Sequence, residues 1–206
     1  MVHYKLTYFQ LKGRAEGIRY ILHHAGVEFE DNRITREAWP QLKAGSPMGQ
    51  VPVLEVDGKA LCQSVAIARY LAGQFKLTGA DNWAAAQIDA LVDGMQDLLP
   101  SLKPVVMAHF SNDEQKKNEE WTKFKTETMP SWLDRYEGFL KSNATDWFVG
   151  KEVSWGDIWI GEFLERMLTF DAALLDKHPL LKAHSTRVCD LPNIGKYRAS
   201  RPESSF

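Results

Sequence analysis

Cysteine is scarce in this 206-residue chain: Cys62 and Cys189 are the two present. They lie far apart and in no CxxC pair, so they define no disulfide framework. Reduced thiols in a cytosolic setting are the expectation. Long apolar runs are also missing. No stretch approaches the roughly 20 residues that a membrane-spanning helix needs. The start "MVHYKLTYF" has no charged segment followed by a long apolar core, so no signal peptide is expected. Nor does one sign of charge dominate: 25 Lys+Arg against 27 Asp+Glu leave a net of -2. Nothing in that balance suggests a nucleic-acid partner. There is no internal repeat and no low-complexity segment.

What is present is an ordinary soluble globular composition, 44% hydrophobic and 25% charged. A chain of this length buries a sizeable core without disulfide staples. The charge is unevenly spread. Residues 1–76 carry 10 Lys+Arg and 7 Asp+Glu, whereas the remainder carries 15 and 20. A mildly basic first part suits a small anionic ligand. "NAT" at Asn143–Thr145 matches a glycosylation sequon that a cytosolic chain would not use.

The first third alternates between two periodicities. "HYKLTYF" and "VEFEDNRI" read as short strands, and "RAEGIRYILHHAG" reads as a helix with Ile18, Ile21, Leu22 and Ala25 on one face. Gly26 follows as a C-terminal cap. "REAWPQLKAG" is a short helical or irregular segment interrupted by Pro40. "VPVLEVDGKALC" is a hairpin with Asp57-Gly58 at its turn. "SVAIARYLAGQF" is a helix that Ser64 can cap. The order β-α-β-α-β-β-α implies a small α/β sandwich, and the polar stretch "LTGADNWAA" after it implies a domain boundary.

Beyond that boundary nearly everything reads as helix. Ile88, Leu91, Val92, Met95, Leu99 and Leu102 form one apolar stripe, which Pro100 and Pro104 should bend. "DEQKKNEEWTKFKTETMPSWLDRYEGFLK" reads as one long charged helix. "VSWGDIWIGEFLERML" opens with a capping box, Ser154 and Asp157, flanked by the staple pair Val153 and Ile158. Its apolar residues lie on more than one face, so it should be central and buried. "HPLLKAHSTRVCDLP" and a short final turn complete the chain.

Several of these residues also carry chemistry. Pro52 opens a strand in "GQVPVL", which places it at an edge or a strand start. A cis X-Pro bond there would turn the Val51 backbone toward a bound peptide. At the start of the Ser64 helix, unpaired N–H groups and the positive dipole end suit a carboxylate, with Gln63 adding a side-chain amide. Tyr8 alone would pass for a half-buried strand aromatic.

Together, "TYF", "GRAE", "AW" with Lys43, "GQVPVL", "QSVAIARYLA" and "SWGDI" resemble the cytosolic glutathione transferases over nearly the whole chain. The Tyr-type start, Trp39 with Lys43, and the short C-terminus are similar to the sigma-like group, which includes prostaglandin D synthase. The resemblance implies a thioredoxin-like α/β domain over residues 1–76 and an all-helical domain over 82–206. It implies a cytoplasmic homodimer that uses glutathione as co-substrate, attacks hydrophobic electrophiles or a peroxide oxygen, and serves detoxification. Tyr8 would hydrogen-bond the glutathione sulfur, with Arg14 adding positive charge and helping to hold Tyr8. Trp39 and Lys43 would hold the glycine carboxylate. Gln50, Val51 and Pro52 would flank the cysteinyl part, and Gln63 and Ser64 the γ-glutamyl part. Asp97 would reach the glutathione amino group of the neighbouring subunit. Phe9, Gly13, Met107, Phe110 and Phe206 would line the second-substrate pocket.

Two departures qualify the resemblance. Some relatives bind a hard cation through an acidic cluster beside Asp93 and Asp97, but Gln96 removes a charged ligand here, so no metal is expected. Pro104 stands where prostaglandin D synthase carries a bulky aromatic, which argues for a more open cleft and ranks prostaglandin isomerisation low. The absence of a cysteine in place of Tyr8 argues against thiol-transferase chemistry. Carriage of haem or lipid in the same dimer cleft, and a purely structural role, are the non-enzymatic alternatives. No nucleic acid or membrane partner is implied.

Overall fold

The computed structural model describes residues 2–204. The chain forms two compact units: residues up to Thr78 together with those from Val188 onward, and Gly79–Arg187. The last helix packs with the first unit, where Ile194 and Tyr197 are buried.

The first unit is built on a four-stranded sheet in the order β2-β1-β3-β4. β1 (Tyr4–Phe9) pairs in parallel with β2 (Phe29–Ile34), and the helix α1 (Glu16–His24) makes the crossover between them. β3 (Val53–Val56) runs antiparallel to both β1 and β4 (Lys59–Cys62). Asp57 (φ 48°) and Gly58 (φ 80°) are both left-handed, the geometry that suits a two-residue hairpin. Along β1 the residues Tyr4, Leu6 and Tyr8 are buried and their neighbours are not.

Three helical details differ from expectation. Pro40 does not interrupt its segment but sits in the first turn of α2 (Trp39–Leu42), where a missing N–H costs nothing. A 3₁₀ turn, Lys43–Gly45, follows it. Ser64 is not the cap of its helix: α3 (Ser64–Gln74) already includes it, and Gln63, at φ 73°, is the cap without a side-chain cap bond. The final "short turn" is a nine-residue helix, α10 (Pro192–Ser200).

The second unit is helical. The expected long stripe is cut in two, α4 (Asn82–Gln96) and α5 (Leu99–Phe110), with Pro100 in the first turn of α5. Pro100 has no N–H to continue the ladder. The break shifts the stripe by one residue, so that Leu98 is buried in place of Leu99. Pro104 lies inside α5. The charged helix is also divided, into α6 (Glu114–Lys123), a π-turn at Phe124–Thr128, and α7 (Met129–Asn143) with Pro130 in its first turn. α8 (Trp155–Leu168) is buried over nearly its whole length, and its capping box is complete. α9 (Pro179–Cys189) follows it.

Candidate active site

The C-terminal end of β1 is where the site candidates gather. Register carries them there. Thr7 pairs with Val53 and Val53 with Cys62, so the next position along the ladder sets Tyr8 beside Pro52 and Pro52 beside Gln63. Val51–Pro52 is cis.

Tyr8 ends the core-facing row of β1 and is 8% exposed. Its hydroxyl accepts a hydrogen bond from the Arg14 main-chain N–H at 3.1 Å. A phenol that accepts this bond keeps its own O–H for donation. The N–H dipole also draws charge toward the oxygen and strengthens it as a donor. Arg14 was expected to add positive charge and help hold Tyr8; the contact to Tyr8 comes from its main-chain N–H, and the residue itself is exposed.

Gly13 makes that contact possible. It sits at φ +46°, and a Cβ there would lie 2.6 Å from Tyr8 Oη and 2.5 Å from Leu11 Cδ1. Only glycine meets both demands. Gly13 thus shapes the turn around Tyr8.

Aromatic contacts extend the cluster. The Tyr8 and Phe9 rings meet at 5.7 Å, and Phe9 meets Trp39 edge-on at 6.0 Å. Trp39 is half-buried and Lys43 exposed. A loop closes over Lys43: a Cβ on Gly49 (φ +60°) would lie 3.5 Å from Lys43 Cε. Within that loop the Ser46 hydroxyl donates to the Gln50 carbonyl at 2.5 Å and accepts from the Gln50 N–H at 3.2 Å. Gln63 Nε2 donates to Met48 Sδ at 3.4 Å. Ser46, Met48 and Gly49 went unread in the sequence, although Ser-Pro-x-Gly is turn chemistry.

At the start of α3 the chemistry favours an anion. No side chain caps this end. The N–H groups of Ser64, Val65 and Ala66 therefore have no intrahelical partner, and the dipole is positive. Ser64 itself is buried. The first unit thus offers a buried phenol donor, a lysine one helical turn from a tryptophan, and a bare helix N-terminus.

Residues 4–73 match the family model described as glutathione S-transferase, N-terminal domain, and residues 100–201 match glutathione S-transferase, C-terminal domain. Glutathione S-transferase 1 of Ascaris suum is 40% identical over the full length of both chains. The chain belongs to the glutathione S-transferase family. Hematopoietic prostaglandin D synthase of Gallus gallus is 38% identical, again over both full chains. Among solved structures, that of NaGST-2 superposes with a TM-score of 0.95 at 34% identity, covering 100% of each chain.

Asp97, Met107 and Phe110, further candidates of this transferase, lie in its second unit. Asp97 is the exposed C-cap of α4. Met107 is 59% exposed on α5, and Phe110 is half-buried with its ring edge-on to His109 at 5.4 Å. Phe206 lies outside the described residues. Asp93, like Asp97, is exposed. No group of three or more His, Cys, Asp and Glu among the described residues is placed to hold a metal. No helix among them is long and apolar enough to cross a membrane.

Proposed function

We propose that this glutathione transferase activates its thiol through Tyr8, and that the Arg14 main chain positions the Tyr8 hydroxyl. The enzyme conjugates glutathione to electrophiles. A free thiol has a pKa of about 8.5, and its thiolate is the nucleophile. A phenol O–H donated to sulfur favours the charged form. The bond from the Arg14 N–H to Tyr8 Oη at 3.1 Å carries this reading, because it fixes where that O–H can point.

The rest of the tripeptide is assigned by the same chemistry. Its γ-glutamyl carboxylate sits at the N-terminus of α3 with Ser64 and Gln63. Its glycine carboxylate meets Lys43 and the Trp39 indole, and the Val51 backbone with Gln50 and Pro52 flanks the cysteinyl part. Sulfur then bonds to the electrophilic carbon. With a chloro-nitrobenzene the carbon–chlorine bond breaks and chloride leaves. Phe9, Gly13, Met107, Phe110 and Phe206 are assigned to the second substrate. Arg14 adds positive charge near the sulfur.

The enzyme is read as sigma-like, cytoplasmic, free of a resident metal, and engaged in detoxification. It is also read as a homodimer in which Asp97 reaches the glutathione amino group of the other subunit. An exposed row on α4 supports a partner there: Trp83, 74% exposed, with Ala86, Gln87, Ala90, Asp93 and Asp97. Carriage of haem or lipid in the same cleft, peroxidase activity and prostaglandin isomerisation rank below conjugation.

Tyr8→Phe is the test. A charge-assisted hydrogen bond contributes about 1.5–3 kcal/mol, so conjugation of a chloro-nitrobenzene should fall at least about tenfold. Glutathione affinity should hold. Unchanged turnover would remove Tyr8 from the mechanism.

A further inference from the structure

The turn that presents the Arg14 N–H to Tyr8 is short and is held from outside. Leu11 and Lys12 bond locally: the Leu11 N–H donates to the Phe9 carbonyl at 2.8 Å, and the Lys12 carbonyl accepts from Ala15 and Glu16 at 3.2 and 3.1 Å. Two other main-chain groups reach further. The Leu11 carbonyl accepts from Arg19 Nη1 at 2.8 Å, and the Lys12 N–H donates to the Ser204 hydroxyl at 3.2 Å.

Arg19 is wholly buried in α1. Its Nε donates to both Asp31 oxygens at 3.1 Å, and its Nη1 donates to Glu16 Oε2 at 3.0 Å. Burial opposes the charge, but Asp31 and Glu16 outweigh it and keep the guanidinium charged. Glu16, 1% exposed, is held in turn by the last helix. Tyr197 Oη donates to Glu16 Oε1 at 3.1 Å and accepts from Arg33 Nη2 at 3.2 Å. Arg201 Nη1 donates to Glu16 Oε1 and to the Tyr20 hydroxyl, each at 2.9 Å. Arg33 Nε closes the chain on Asp31 at 2.8 Å. The Tyr197 ring stacks on His23 with centroids 4.0 Å apart.

An apolar contact would hold α10 at least as firmly, since buried ion pairs seldom add net stability. What linked guanidinium and carboxylate groups add is direction. We propose that α10 is a positioning element for the thiol-activating hydroxyl: Tyr197 and Arg201 orient Glu16, Glu16 and Asp31 fix Arg19, and Arg19 clamps the Leu11 carbonyl, holding the turn whose Arg14 N–H reaches Tyr8. The proposal rests on the assignment of Tyr8 above. The 3.1 Å contact is near the long end of its range. A shift of a few tenths of an ångström in the turn therefore weakens it.

The test is a double-mutant cycle read on the pKa of the bound glutathione thiol, followed by thiolate absorbance across pH. Tyr197→Phe deletes one hydroxyl and keeps the ring on His23. It should raise the bound-thiol pKa by about half a unit to one unit, which lowers turnover roughly three- to tenfold at neutral pH. Turnover should recover at high pH, and glutathione affinity should stay within about twofold, a pattern that mere loosening of the fold would not produce. In a Tyr8→Phe background the same change should shift nothing further. An unshifted thiol pKa in Tyr197→Phe, beside a shifted one in Tyr8→Phe, overturns the proposal and leaves Tyr8 standing. An equal added shift in the Tyr8→Phe background overturns it too. No shift in Tyr8→Phe removes the assignment of Tyr8 and this inference with it. Should Tyr197→Phe not fold, Arg201→Lys carries the same measurement with the same expected direction. Arg201 keeps 12% side-chain exposure, and lysine keeps the charge without the fork.

Discussion

At Gly13 a backbone demand and a steric one coincide. Its φ of +46° disfavours any side chain, and its missing Cβ leaves room for Tyr8 Oη at 2.6 Å. Gly13→Ala should cost about 1–2 kcal/mol through the left-handed backbone and displace the Tyr8 hydroxyl as well. Steady-state kinetics should therefore show a loss of kcat/KM comparable to Tyr8→Phe. Gly58→Ala is the contrast: its φ is +80° but nothing lies within 4 Å of the added carbon. Stability should fall by a similar amount while kcat/KM holds. At this scale the sequence was legible in part. Gln63 and Ser64 could be picked out from anion chemistry at a helix start, but Tyr8, Trp39 and Lys43 could be named only together, by resemblance, since each alone passes for ordinary strand or turn chemistry. Glu16 and Arg19 could not be read as a buried pair. On a helix, charges three apart look like a solvated face, and the partners that bury them, Tyr197 and Arg201, lie about 180 residues away.

The capping box of α8 shows how a local signal survives folding. The Ser154 N–H donates to Asp157 Oδ2 at 2.9 Å, and the Asp157 N–H donates to the Ser154 hydroxyl at 3.3 Å. Asp157 is wholly buried; it also accepts from the Phe148 N–H at 2.9 Å, and His184 Nε2 lies 3.0 Å from it. Ser154→Ala should destabilise by about 1–2 kcal/mol, which lowers Tm by roughly 2–8 °C for a chain of this size. Asp157→Ala should cost more, because it strips partners from buried groups. Thermal denaturation ranks the two. An Asp157→Ala chain as stable as Ser154→Ala would mean that the contacts to Phe148 and His184 contribute nothing. The box was readable because its partners are three residues apart. The break between α4 and α5 was not. Pro100 announces a disturbance, but whether a helix bends or stops is set by which apolar residue the packing buries, here Leu98. The exchange of Ser64 for Gln63 at the α3 cap has a similar origin. Gln63 at φ 73° follows from the approach of β4 to that helix, and no local propensity announces it.

For the molecule as a whole, the alternation of strand and helix followed by helices alone specified the order of elements. Chain order did not disclose that the segment from Val188 packs with the first unit. The exposed row on α4 makes assembly testable. Sedimentation should give twice the 23.4 kDa of one chain. Asp97→Asn should raise the KM for glutathione with little change in kcat. A monomer whose glutathione affinity ignores Asp97 would contradict the dimeric site. The central claim is that this fold lowers the pKa of a bound thiol through one phenol. Titrating the thiolate absorbance of the glutathione complex tests it most directly. The native enzyme should ionise its bound thiol well below the free value of about 8.5, and Tyr8→Phe should return it toward that value. A bound thiol that ionises alike in both proteins would contradict the account.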